Sequence, residues 1–143
     1  MTLLSPHFSL EELTATDHRT LDNTPNDSEI ANLLRLAELL EKVKYELYDK
    51  PIMVNSAFRS KAVNDAVGSK DTSQHRLGCA ADIRVPGMTP DEVVKEIIAA
   101  GLPYDQIIRE FDAWTHISVP SAVGLLPRRQ ALIIDKTGTR PFA

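Results

Sequence analysis

The chain has 143 residues, of which 43% are hydrophobic and 25% are charged, and its formal net charge is −4. This length fits one domain with a core large enough to fold without disulfides, so we predict a single domain over residues 1–143. The acidic balance argues against nucleic acid as a partner, and the single cysteine, Cys79, excludes an intramolecular disulfide and a cysteine-based zinc site.

The beginning of the chain carries no pattern of an export signal. Residues 1–7 lack both a basic region and a long apolar region. No later segment approaches the ~20 apolar residues that a membrane-spanning helix needs. We therefore expect a protein that is made in the bacterial cytoplasm without a signal peptide and that does not insert into a membrane.

The first fifty residues have a helical pattern. Residues 8–13 form a short predicted helix with Ser9 as the N-cap, and the polar segment 17–27 is typical of a loop. Apolar residues at helical spacing over 28–48 predict a long amphipathic helix. Pro51 sets its end, because the residue before a proline avoids the helical conformation.

Strands and helices are mixed in the middle of the chain. Residues 52–56 form a predicted strand, and residues 59–67 a short helix or turn. The segment 69–78 has no apolar run and is predicted to be a loop that leads into a strand over 80–85. A threonine, a proline and two acidic residues then predict the start of a helix over 90–100.

The carboxyl-terminal third has the pattern of antiparallel strands. The runs 106–111 and 115–119 are predicted to form a hairpin, and residues 131–135 a last strand. Together with the helices, these elements predict an α+β fold: a largely antiparallel sheet with helices packed on one face.

Three residues within this pattern suggest a metal site. Asp82 interrupts an apolar strand, where a carboxylate is costly unless it is paired or binds a metal ion. His116 alternates with Ile117 and would face a cleft, and His75 precedes the Asp82 strand. A lone histidine is more often a structural residue. Two histidines and a carboxylate together, however, are the ligands of an open zinc site.

Four blocks of the sequence resemble the zinc peptidases of the D-Ala-D-Ala carboxypeptidase type, the M15 peptidases, and above all their small, endolysin-like phage and bacterial branch. The third block contains the pattern Ser-x-His-x-x-Gly-x-Ala-x-Asp and the fourth contains Trp-x-His. The blocks are residues 9–13 with 23–25, residues 56–60 with Asn64 and 67–69, residues 73–82, and residues 110–119.

The resemblance implies that His75, Asp82 and His116 bind one Zn²⁺ and leave a fourth position for water. It also implies a substrate, the stem peptide of bacterial peptidoglycan. Two reactions are open: endopeptidase cleavage of the L-Ala–D-Glu bond, and removal of a terminal D-Ala by a carboxypeptidase. We expect a monomer that serves in phage or prophage lysis and reaches the cell wall after holin-type release or as part of a virion.

The general base is less clearly indicated. The family often has an acidic residue three positions before the last histidine, but Ala113 occupies that position here. The candidates are Glu110 and Asp112. We favour Glu110, because the pattern Glu-Phe-x-x-Trp-x-His resembles the small phage branch, and we interpret Asp112 as a solvated or capping residue in the turn.

Two further residues are predicted to bind substrate. Arg59 lies where the family uses an arginine to hold a substrate carboxylate or carbonyl, and its planar guanidinium suits that contact; a surface charge is the alternative. Ser73 matches a serine that hydrogen-bonds substrate. We interpret Gln74 and Asn64 as scaffolding of the loop, and Trp114 as either a wall of the cleft or a core residue.

A different class of function is also open. The wider fold group includes zinc-bearing domains whose metal does not support hydrolysis, and the acidic residue of Glu-x-x-His is missing here. The alternative is therefore a non-catalytic zinc-binding module for wall recognition, or a structural part of a virion.

Overall fold

The computed structural model describes residues 1–142 and has the predicted α+β fold. Its α-helices are α1 (Leu10–Leu13), α2 (Asp27–Glu46), α3 (Lys61–Ala66) and α4 (Pro90–Ala99). A single 3₁₀ turn, Gln74–Leu77, lies between α3 and the next strand. None of the described helices combines the length and the hydropathy needed to cross a bilayer.

The strands form a main sheet and a small separate ribbon. The strands are β1 (Leu3–Ser5), β2 (Phe8–Ser9), β3 (Met53–Ser56), β4 (Ala80–Arg84), β5 (Gln106–Glu110), β6 (Trp114–Ser118), β7 (Gln130–Asp135) and β8 (Gly138–Pro141). The order in the main sheet is β3-β4-β6-β5-β7-β8, and β1 pairs with β2 alone. All neighbours are antiparallel except β5 and β7, so the prediction of a largely antiparallel sheet is confirmed.

Capping residues set the starts of the helices. Asn26 and Glu29 form a capping box at the start of α2, and Thr89 and Glu92 form one at α4. Ser9 caps α1 as predicted, but that helix begins at Leu10, because the preceding two residues pair with β1 instead.

The long helix ends two residues earlier than predicted. Its last residue is Glu46, and the chain then turns through Tyr48 and Asp49, whose φ angles are 59° and 63°. The Asp49 N–H donates to the Lys44 carbonyl oxygen over 2.9 Å, which closes the helix end.

The core lies between the long helices and one face of the sheet. Helix α2 contributes a buried apolar stripe that includes Leu36 and Leu40, and α4 contributes Ile97. They form one cluster with Ile83 of β4 and Ile117 of β6. Each such side chain contributes about 1.5–3 kcal/mol when it is fully buried. The other face of these two strands is left free for polar side chains.

Cys79 is a buried residue immediately before β4, as predicted. Burial raises the pKa of its thiol, and the nearby Arg35 offsets only part of that rise. A protonated, inaccessible thiol is a poor nucleophile, so Cys79 fills space in the core.

Candidate metal centre

Two strands bring a carboxylate and an imidazole together. Asp82 of β4 lies directly opposite His116 of β6, and residues paired in this way project from the same face. Oδ1 of Asp82 is 3.1 Å from Nδ1 of His116 and 3.3 Å from Nε2 of His75. One ligand atom from each residue lies within 4.8 Å of the other two, and all three residues are buried.

His75 lies in the 3₁₀ turn and not in the loop that the sequence predicted. A single turn is too short to produce an apolar periodicity, but Ser73 caps it by accepting from the His75 N–H over 3.2 Å. Gly78 ends the turn with a φ of 79°, and a Cβ there would lie 2.8 Å from the Glu29 carbonyl oxygen. This close approach to α2 requires glycine.

A backbone carbonyl orients the His75 ring. Nδ1 of His75 is 2.7 Å from the Ala57 carbonyl oxygen. A carbonyl only accepts, so Nδ1 donates its proton to Ala57, and Nε2 is the ring nitrogen directed at Asp82. Metal-binding histidines are commonly oriented by such a second hydrogen bond.

Asp82 is ionised despite its burial. Burial alone would raise its pKa, but hydrogen bonds from His116 and His75 hold the pKa of Asp82 well below its usual range. Its other oxygen, Oδ2, is 3.4 Å from a guanidinium nitrogen of Arg59. The centre of the site is therefore a carboxylate between two imidazoles.

Glu110 lies beside this group. It is the last residue of β5 and pairs with Trp114, which places both side chains on the face of His116. Its Oε1 is 4.0 Å from Nδ1 of His116, and the side chain is only 19% exposed. Burial, followed by the negative charge of Asp82, raises the pKa of Glu110, although His116 and Arg59 counteract part of the rise.

Asp112 lies apart from the three residues. Its side chain is 71% exposed, and Oδ1 is 3.1 Å from Nε of Arg109. Asp112 also lines a groove of about 500 Å³ whose walls include Ile83 and Thr115. Those two residues project from the opposite face of the sheet to Asp82 and His116. The structure thus brings Glu110, and not Asp112, to the candidate ligands; the catalytic role itself stays a prediction.

Arg59 and Ser73 both lie next to the group, in different ways. The Arg59 side chain is 16% exposed, which does not fit the surface-charge alternative, and its Nε donates to Oγ of Ser56 over 3.1 Å. Arg59 follows β3 and Glu110 ends β5, so the two residues flank the group from opposite sides. Ser73 caps the His75 turn, and its contact with substrate stays a prediction.

Comparison with known proteins agrees with this arrangement. The model of the Peptidase M15 family matches residues 6–118, which is most of the chain. The chain belongs to the Peptidase M15 family. It is also similar to the zinc D-Ala-D-Ala carboxypeptidase of Streptomyces albus G, with 42% identity over 53 residues. That match covers 37% of this M15 chain and 21% of the carboxypeptidase.

The ligand group of this M15 domain fits Zn²⁺. Two imidazole nitrogens and one carboxylate oxygen are a typical set for a catalytic zinc ion, with the fourth position open. Bonds of about 2.0–2.1 Å to a tetrahedral ion place ligand atoms about 3.3 Å apart. The separations of 3.1 Å and 3.3 Å from Asp82 to the two histidines are close to that value, and all three ligand atoms lie within 4.8 Å of one another.

The sequence did not predict the roles of two groups at the M15 site, the Ala57 carbonyl and the Asn23 side chain. The Ala57 carbonyl is a backbone group, so residue identity gives no sign of it. Asn23 belongs to the first block that resembles the family, but the sequence gives it no role. Its amide donates to the Phe58 carbonyl over 3.0 Å and accepts from the Ser60 N–H over 2.7 Å, so it fixes both neighbours of Arg59.

The two scaffolding predictions for this M15 domain are confirmed. Nδ2 of Asn64 donates to the Lys70 carbonyl over 2.9 Å. Nε2 of Gln74 lies 3.0 Å from Oδ2 of Asp105 and 3.1 Å from Oγ of Ser121. Gln74 therefore ties the His75 turn to the segment that follows β6.

Proposed function

We propose that this M15 family member is a zinc-dependent peptidase that hydrolyses the stem peptides of bacterial peptidoglycan. The observation that carries the proposal is the open group of His75, Asp82 and His116 with the half-buried carboxyl of Glu110 beside it. The substrate class is supported by the name of the Streptomyces albus G relative, a zinc D-Ala-D-Ala carboxypeptidase.

Glu110 and Arg59 have separate roles in the proposed hydrolysis. When bound, Zn²⁺ supplies Lewis-acid activation of water and of the scissile carbonyl. Glu110 takes the proton of the attacking water and passes it to the leaving amine. Its raised pKa suits this exchange, because a base is most effective when its pKa approaches the working pH. Arg59, on the other side of the group, holds a carboxylate or carbonyl of the substrate.

The proposal extends to the bond and the setting. We propose cleavage between L-Ala and D-Glu in phage or prophage lysis, with removal of a terminal D-Ala as the alternative reaction. The spacing of Glu110, Trp114 and His116 supports this choice, because it resembles the small phage branch of the family. Action at the cell wall, after holin-type release or from a virion, is part of the same proposal.

Digestion of purified peptidoglycan tests the proposal. The protein is incubated with and without a strong chelator, zinc is added back, and the released peptides are identified by mass spectrometry. We expect chelator-sensitive release of cut stem peptides, and the masses identify the bond. Release of D-Ala alone would contradict the endopeptidase reaction, and full activity in the chelator would contradict the zinc peptidase.

A second experiment assigns the base. Glu110→Gln is expected to retain zinc and to lose turnover by about 10²–10⁴-fold, because proton transfer contributes that much. Glu96→Gln, on the exposed side of α4, makes the same chemical change away from the site. If Asp112→Asn were inactive and Glu110→Gln active, the assignment would be reversed.

The non-catalytic module is the second candidate. Ala113 at the position where the family often has an acidic residue favours it. Bound zinc and wall binding without release of any peptide would establish this alternative.

A further inference from the structure

The turn between β5 and β6 has two consecutive non-glycine residues in the left-handed region. Phe111 has a φ of 54° and Asp112 a φ of 50°. A bulky residue at positive φ is uncommon, because its Cβ crowds the backbone. Such strain persists where surrounding contacts impose it, and it is concentrated at functional sites.

Hydrogen bonds on both sides hold this turn in place. The Phe111 N–H donates to the Ile134 carbonyl oxygen of β7 over 2.8 Å, and the Ala113 N–H donates to the Glu110 carbonyl over 3.0 Å. The Asp112 carboxylate is paired with Arg109 on β5. The backbone of the turn is therefore held by contacts with β5 and β7.

The turn places an aromatic pair next to Glu110. Trp114 pairs with Glu110 across the hairpin and lies on the face of the metal ligands. The ring centroids of Phe111 and Trp114 are 6.1 Å apart with an interplanar angle of 42°, and Phe111 is 52% exposed. We name these two side chains the aromatic shelf. It flanks the metal group on the Glu110 side, opposite Arg59.

We propose that the aromatic shelf is a specificity subsite that binds the aliphatic side chain of the substrate residue next to the scissile bond, on the side away from Arg59. The inference rests on the proposed peptidase function. On the other side of the metal group, the polar side chain of Arg59 suits the backbone and charges of a peptide. The two aromatic rings of the shelf instead offer apolar surface for methyl and methylene groups. In a stem peptide, the methyl group of an alanine fits this description.

Peptide pairs that differ by one methyl group test the shelf. The probes are a synthetic stem peptide and its analogues in which each alanine in turn is replaced by glycine. At one position, the alanine peptide is expected to have a kcat/KM about 5-fold higher than that of its glycine analogue. A closed pocket would discriminate more strongly, because the shelf contacts only one side of the methyl group. In Phe111→Gly this ratio is expected to fall to about 1 through a change in KM, and Phe111→Tyr is expected to keep it.

The chain offers a matched control at the end of α2. Tyr48 and Asp49 are also an aromatic residue and an aspartate at positive φ, and Tyr48 is 83% exposed. Tyr48→Gly therefore relieves the same backbone strain far along the chain from the ligands. It is expected to leave the peptide ratio unchanged. Both glycine variants are expected to melt within about 3 °C of the wild type.

Binding is measured separately from hydrolysis. Trp114 is the single tryptophan, so its fluorescence reports occupation of the shelf without turnover. Preferential binding of the alanine peptide without cleavage would support the shelf and refute the peptidase. Cleavage with an alanine-to-glycine ratio that Phe111→Gly leaves intact would refute the shelf and leave the peptidase standing.

Discussion

Two buried aspartates, one in β4 and one just before β5, differ in the groups that surround them. Asp82 faces two imidazoles, with a guanidinium nitrogen of Arg59 at 3.4 Å. Asp105, immediately before β5, accepts from the Arg128 guanidinium over 2.7 Å, from the Arg128 N–H over 3.0 Å and from Gln74 over 3.0 Å. Both have a lowered pKa, since these hydrogen bonds outweigh the effect of burial.

The difference distinguishes a structural carboxylate from a candidate metal ligand. The donors of Asp105 keep their protons at every ordinary pH, so the carboxylate is neutralised within the protein. The partners of Asp82 are histidines, and Ala57 already takes the proton on Nδ1 of His75. Two imidazole nitrogens and a carboxylate that converge on one point can hold a cation once the nitrogens facing it carry no proton. Low pKa and burial alone do not distinguish the two aspartates; the type of donor does.

Removal of the Asp82 carboxylate is expected to have the largest effect. Asp82→Asn removes one of the three expected ligands of Zn²⁺. The loss of several kcal/mol of Lewis-acid stabilisation corresponds to a fall in kcat/KM of about 10³-fold or more. Zinc content by elemental analysis and peptide release are the measurements. Full zinc content and activity in this variant would show that Asp82, like Asp105, is structural.

The corresponding change at Asp105 is expected to act on stability instead. Asp105→Asn weakens the charge-assisted contacts to Arg128 and is expected to lower the free energy of unfolding by about 1–3 kcal/mol, measured in urea. Zinc content is expected to stay at the wild-type level. The control is Asp135→Asn, since Asp135 pairs with Arg140 at an exposed edge and should contribute much less. Equal losses of unfolding free energy in Asp105→Asn and Asp135→Asn would contradict the structural role of Asp105.

The pH dependence of stability sharpens the comparison further. The folded-state pKa of Asp105 lies below its unfolded value near 3.9, so the unfolded chain binds the additional proton first as the pH falls. The stabilisation by Asp105 is complete above about pH 5 and is lost as the pH falls through the folded-state pKa. The difference in unfolding free energy between wild type and Asp105→Asn should therefore shrink below about pH 4. A constant difference from pH 7 to pH 3 would contradict this.

The strongly periodic elements were predictable from sequence. Apolar spacing gave α2 to within two residues at each end, and capping patterns located α4. Strands β1 and β2 were not predicted, since they have only three and two residues. Strand β8 was not predicted because all four of its residues are exposed and show no alternation of buried and exposed positions. The parallel pairing of β5 with β7 was also missed, because local patterns carry no information about the order of strands in a sheet.

The site was predictable to the extent that it rests on residue types. Two histidines and an aspartate could be found by type and spacing, and strand alternation correctly put His116 and Trp114 on one face. The resemblance favoured Glu110 over Asp112 as the base, and the structure adds that Glu110 ends a strand beside His116 whereas Asp112 lies in an exposed turn; the catalytic role stays a prediction. The left-handed conformation of Phe111 has no signal in sequence, because glycine and asparagine are the residues that usually mark it.

The seating of the His75 turn on α2 has a consequence for how the centre can be observed. Gly78 lies so close to α2 that a Cβ there would be 2.8 Å from the Glu29 carbonyl oxygen. The Asn32 amide donates to the Leu77 carbonyl over 2.9 Å, and Arg76 pairs with Glu29 at 3.1 Å. The first turns of α2 thus support the candidate ligand His75 from outside the cleft. Amide hydrogen exchange in those turns should slow when the ion binds, so the helix would report occupancy of the centre from outside the cleft.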